Sequence, residues 1–242
     1  MSDAASTNRP EAKRRSFLDG CGCWLFVLVV LFFIFGVALG PIGPGNKYAR
    51  QSAWLQNAHT IGLCMFAYAQ DHDQLYPDGN SSTEVFQKLL DGGYVTDPTL
   101  FYLAMPGKTK PVPGQKLKPE NVSWDVTGGA DLSSPDELPL VFMTGYKISY
   151  APGSAAVPLV KPYPPFGLEE PYQKWFDWLL RRPTIHWSES GGIAVHYKNN
   201  SSMYKKLETA PNGDGTIPDF IPPDFKPDGK TYRQLTPDGV LP

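Results

Sequence analysis

Only three cysteines occur in 242 residues, and two of them, Cys21 and Cys23, stand at the entry to an apolar run. Cys64 is alone in the rest of the chain, which excludes an intrachain structural disulfide there. Charge is also sparse. Asp, Glu, Lys and Arg make up 19% of the chain, and 22 basic against 24 acidic residues leave a net charge of −2. With the signs mixed, no basic face invites nucleic acid, so none is expected as a partner. Chemical motifs are scarce too. The four histidines, His59, His72, His186 and His196, have no zinc spacing; His186 and His196 could meet across a hairpin, but a third ligand is missing. Ser188-Glu189-Ser190 lies beside His186 without the strand-to-helix Gly-x-Ser-x-Gly elbow of a serine hydrolase. There are no internal repeats. The expectation is a protein that is not an enzyme and carries no cofactor.

What the chain does have is a run of eighteen residues, Cys23 to Gly40, without one charge. As a helix at about 1.5 Å per residue it covers most of a ~30 Å hydrocarbon layer. The run is too long for a cleaved secretory signal, and Pro41 would follow the cut after Ala38-Leu39-Gly40. Arg9, Lys13, Arg14 and Arg15 precede it, while Lys47 and Arg50 follow. The positive-inside rule therefore keeps the short tail cytoplasmic. The expected organisation is a cytoplasmic basic tail (1–20), a transmembrane helix with a Pro/Gly break (21–45) and an extracytoplasmic domain (46–242). The expected localisation is the inner membrane, crossed once.

Downstream, 25 prolines and 23 glycines imply many turns. Asn46 to Asp71 reads as a helix, with Trp54, Leu55, Ala58, Ile61, Gly62, Met65, Phe66 and Ala69 forming one apolar stripe. Gly62 within that stripe points to close approach of another element, or simply to a small contact. Ser82 or Thr83 caps a second helix, Glu84 to Asp91, ended by Gly92-Gly93. Thr96 to Pro106 reads as a short extended piece, Lys108 to Pro119 as a loop, Leu138 to Met143 as a strand, and Tyr146 to Tyr150 as its possible partner. Glu169 to Arg182 reads as a third helix, within an aromatic band from Tyr163 to Trp187. Gly192 to Tyr197 and Ser202 to Leu207 read as a hairpin. From Thr209 onward, Gly, Pro and Asp predict loop. The long helix is expected to pack its stripe on a sheet built around Leu140, Phe142, Ile193 and Val195.

One loop has the composition of a calcium site: Asn212-Gly213-Asp214-Gly215-Thr216-Ile217-Pro218-Asp219. Asn212, Asp214 and Asp219 supply closely spaced oxygens, and glycine permits the sharp turn. An EF-hand register, however, places Ala210 and Ile221 at the first and last ligand positions. A plain polar turn is the expectation, with calcium as the ion if one binds.

The order of the parts resembles the type IV pilin-like proteins, in particular the pseudopilins. The resemblance is carried by Lys-Arg-Arg-Ser-Phe (13–17) ahead of the apolar helix, and by the run from Tyr48 to Gly79 closing on Tyr76-Pro77-Asp78-Gly79. It is carried further by the helix and following piece from Glu84 to Pro106, and by His186 with the Gly-Gly hairpin after it. It implies an α+β fold: an N-terminal transmembrane helix continuing into an amphipathic helix packed on a small antiparallel sheet. The implied function is a non-catalytic, membrane-anchored structural or assembly protein of a bacterial envelope secretion system, such as type II secretion, or of a surface system. Its implied partners are the membrane and other pilin-like subunits. The leader departs from the family pattern: Ser16 stands where the glycine is usual and Cys21 where the glutamate is, while cutting after Gly20 puts Leu25 fifth. Lys198-Asn199 replaces the usual Asp-Gly turn. These departures favour a second expectation, an independent anchored binding protein for a glycan, peptide or envelope partner.

Overall fold

The computed structural model describes residues 28–31, 45–105, 107–159, 192–209 and 215–241. The first long element is α1, Gly45–Asp71. It has no interior proline and carries its apolar residues at three- and four-residue spacing. It stops because Asp73 and Gln74 take left-handed φ of 50° and 64°, and the Gln74 N–H donates back to the Ala69 carbonyl at 3.0 Å. Helix α2, Ser82–Asp91, begins two residues before the expected Glu84. Ser81 is the capping residue, accepting from the Glu84 N–H at 3.1 Å, while Glu84 accepts from the Asn80 N–H at 2.9 Å. Pro98–Phe101 is a 3₁₀ turn, not the extended piece expected, because Asp97 caps it through the Thr99 N–H.

Six strands form one antiparallel sheet: β1 Trp124–Gly128, β2 Pro139–Met143, β5 Gly192–Tyr197, β6 Ser202–Lys206, β9 Arg233–Thr236 and β10 Gly239–Val240. Their order is β10-β9-β1-β2-β5-β6. Two small pairs accompany it, β3 Tyr146–Lys147 with β4 Val157–Pro158, and β7 Glu208–Thr209 with β8 Gly215–Thr216. Tyr146 and Lys147 therefore pair with 157–158 and not with β2.

This architecture corrects the expected fold class. The sheet is not small: six strands dominate the described residues, and the segment expected to be loop after Thr209 supplies β8, β9 and β10. No helix among the described residues is long and apolar enough to cross a membrane. That finding overturns the expected transmembrane helix and inner-membrane localisation, and the pseudopilin and type II secretion reading loses the membrane anchor it requires. Of the apolar run only residues 28–31 are described, and they are helical and exposed. The third helix at 169–182, the aromatic band and His186 lie outside the described residues.

Strands β1, β2 and β5 are buried at every position, so both faces of the central sheet are covered. Successive side chains point to opposite faces, and the contacts sort them. Phe142 pairs with Asp125 and with Val195 across the ladder and meets the Phe220 ring at 5.6 Å. That face carries Asp125, Leu140, Phe142 and Val195. The opposite face carries His196, whose ring meets His59 of α1 at 5.4 Å, and Tyr204, which stacks on Trp54. Helix α1 thus lies over His196 and its same-face neighbours, not over Leu140, Phe142, Ile193 and Val195. The stripe of α1 is as expected in Ala58, Ile61, Met65 and Ala69, all fully buried. Phe66 is the exception, at 46% exposure.

Gly62 sits where α1 comes closest to β5. A Cβ there would stand 2.0 Å from Cδ2 and 2.1 Å from Nε2 of His196. The ring is held from its other side, His196 Nδ1 lying 2.8 Å from Ser202 Oγ. Gly62→Ala should therefore destabilise the domain by about 1–3 kcal/mol, as overpacked cores do. Urea denaturation checks this; a midpoint equal to wild type would show that helix and ring separate freely.

Candidate functional site

Helix α1 organises the chemistry. Between Arg50 and Asp71 it carries no Asp, Glu, Lys or Arg, which leaves every flank uncharged. Its first flank is the buried stripe. The second is exposed and holds Ala49, Ser52, Ala53, Gln56, Leu63, Phe66, Ala67 and Gln70, with Leu63 at 44% exposure. Exposed helix surfaces are ordinarily charged; this one mixes small residues and two glutamines with two large apolar side chains. The third flank, Asn57, Thr60 and Cys64, faces Tyr94 to Leu100 across a groove of about 430 Å³.

Two titratable groups lie deep in the sheet. Asp125, on β1, is fully buried. Its Oδ2 accepts from Gln234 Nε2 at 2.7 Å, and Gln234 donates also to the Tyr146 carbonyl at 2.6 Å and accepts from the Ile148 N–H at 3.0 Å. Burial raises the carboxyl to about 7, against the opposing pull of Thr144, Gln234 and Lys108. His196, on the other face, is lowered to about 4 by burial and by the neighbouring His59. They stand on opposite faces of the sheet and do not form an acid–base pair. Cys64 is half-buried and its thiol is raised by desolvation, the reverse of what an activated nucleophile needs.

Asn212 and Asp214, two of the three calcium candidates, lie outside the described residues. Asp219 is exposed with φ of 46°, and its main-chain carbonyl accepts a hydrogen bond from Lys205 Nζ. No group of three or more His, Cys, Asp or Glu among the described residues stands close enough to hold a metal ion. The histidine that meets His196 among the described residues is His59, from a helix 137 positions away in sequence. No spacing rule finds that pair; Gly62 is the one signal, since it marks where α1 is approached. The groove is likewise unmarked in the sequence, because its two walls join only after α1 and the 94–100 segment pack. Comparison with models of known protein families, with characterised proteins and with solved structures finds no match.

Proposed function

We propose that this chain is a non-catalytic assembly module that associates with further copies of itself through the outer flank of α1. The observation that carries the reading is the uncharged exposed flank with Leu63 and Phe66. Exposed apolar side chains on an uncharged helix flank are the kind of surface through which proteins associate. Small residues at 49, 52, 53 and 67 let a like helix approach closely, and no charge has to be desolvated when it does. The six-stranded sheet, packed on the other flank, is then carried and displayed by the associated helices. A second reading, a binding domain for a glycan, peptide or envelope partner, is favoured by the groove beside α1.

Sedimentation velocity on the full chain tests the first reading. Wild type should associate with rising concentration, and Phe66→Asp should abolish the association while changing stability by less than about 0.5 kcal/mol, as surface substitutions do. A wild-type chain that stays monomeric, or a Phe66→Asp chain that associates as wild type does, would overturn it.

A further inference from the structure

The groove between α1 and the 94–100 segment has the chemistry of a saccharide site. Its volume of about 430 Å³ falls within the ~300–1,000 Å³ usual for small-ligand sites. One wall is the α1 flank, where the Asn57 amide can both donate and accept, and where Thr60 spends its hydroxyl proton on the Gln56 carbonyl at 2.9 Å and keeps its oxygen as an acceptor. The other wall offers the hydroxyls of Thr96 and Thr99 and the carboxylate of Asp97. Asp97 is held in place by the Thr99 N–H at 2.9 Å and Thr99 Oγ1 at 2.7 Å, so it meets a ligand pre-oriented.

The aromatic component is Tyr94. Its hydroxyl donates to Asp71 Oδ2 at 2.8 Å, and its ring is braced by Tyr68 at 5.4 Å and His72 at 6.2 Å. Tyr68 and His72 are themselves stacked at 3.7 Å with 2° between planes. A tyrosine fixed at its hydroxyl and on its flank offers a preset apolar face, so little ordering entropy is lost when a ligand stacks on it. The remaining lining is apolar or neutral, including Val95, Leu100 and Cys64.

Charge narrows the ligand class. No lysine or arginine lines the groove among the described residues, so nothing there pairs with a phosphate or sulfate. Lys110 is felt by Asp97 but stands outside the wall. An anionic ligand would meet the Asp97 carboxylate with no cation in the wall to pair with. A single carboxylate already committed to Thr99 is a poor trap for a metal ion. What fits is a molecule with apolar C–H faces and many hydroxyls that both donate and accept. We infer that the groove binds a short neutral oligosaccharide, with a sugar ring stacked on Tyr94 and its hydroxyls bonded to Asn57, Asp97 and the threonines. The inference rests on the second functional reading and is independent of self-association.

The test uses the full chain on an array of neutral, sialylated and sulfated oligosaccharides, followed by titration with the best neutral binder. Cys64, in the groove wall, reports the location, because its iodoacetamide modification can be followed by mass spectrometry of its own peptide. We expect retention of neutral but not anionic saccharides, and slower Cys64 modification when the sugar is bound. Tyr94→Ala should weaken binding about tenfold, whereas Tyr94→Phe, which keeps the ring, should cost about threefold or less. Phe66→Asp should bind as wild type does, which separates this result from that of the association experiment. Absence of any neutral binder, preference for anionic saccharides, unchanged Cys64 modification, or equal affinity of Tyr94→Ala and wild type would each overturn the inference.

Discussion

Ile61→Asp should unfold the domain. Ile61 is fully buried at the centre of the α1 stripe, in one cluster with Met65, Val85, Trp124, Val126 and Val141. Removing its side chain from that cluster loses about 1.5–3 kcal/mol of burial. The new carboxylate then sits among apolar groups without a partner, at a further cost of several kcal/mol. Against a domain stability of about 5–15 kcal/mol, the sum takes most or all of it. Gln51→Asp, on the same helix but half-buried, should change stability by no more than about 0.5 kcal/mol. Circular dichroism with urea melts of both variants checks the pair. Equal tolerance would mean that α1 does not hold the sheet.

The second large effect is in the pH dependence of stability, where two buried groups act in opposite directions. Asp125 titrates near 7 in the folded chain and near its ordinary 3.8 when unfolded. Between those values the folded chain keeps a proton that the unfolded chain has lost, so stability falls as pH rises through this window. The full loss, reached above pH 7, is on the order of 4 kcal/mol. His196 titrates near 4 when folded and near 6.5 when unfolded. There the unfolded chain gains the proton first, so stability is whole above 6.5 and is lost as pH falls toward 4, by on the order of 3 kcal/mol.

In wild type the two slopes largely cancel, and stability should be nearly flat between about pH 4.5 and pH 7. Asp125→Asn removes the descending term; the variant should gain stability at neutral pH and become acid-labile through His196. His196→Asn should do the converse and lose stability as pH rises. Urea denaturation at both ends of the window reads these slopes directly. An Asp125→Asn variant with the same pH profile as wild type would show that the carboxyl is ionised throughout, with Lys108 close enough to hold its charge.

Parts of this fold are legible in the amino-acid sequence. Helix α1 is visible because Ala58, Ile61, Met65 and Ala69 recur at the helical period. The β5–β6 hairpin is visible in the run from Gly192 and the polar turn after Tyr197. Strand β1 is not, although it lies inside the sheet. Asp125 and Thr127 alternate with Trp124 and Val126, polar residues at positions where a strand covered on both faces would be apolar. Both polar residues are in fact buried, Asp125 bonded to Gln234 and Thr127 Oγ1 lying 2.9 Å from the Tyr150 hydroxyl. Strand β9 is hidden in the same way, as its Gln234 is a core residue with the composition of a surface loop around it. A strand with polar residues on a buried face can be recognised only with the partners that satisfy them.

The residues alone dictate local matters: where helices run and end, and that no structural disulfide is available within the domain. Those follow from spacing, capping and side-chain size, which act over a few residues. Which face of the sheet α1 covers is a matter of tertiary packing, because a one-residue change in register exchanges His196 for Val195 and so turns every strand side chain over. Packing also brings His59 to His196, closes the groove between α1 and Tyr94, and places the C-terminal strands beside β1. Each of those joins residues far apart in the chain through contacts and hydrogen bonds that no local period encodes.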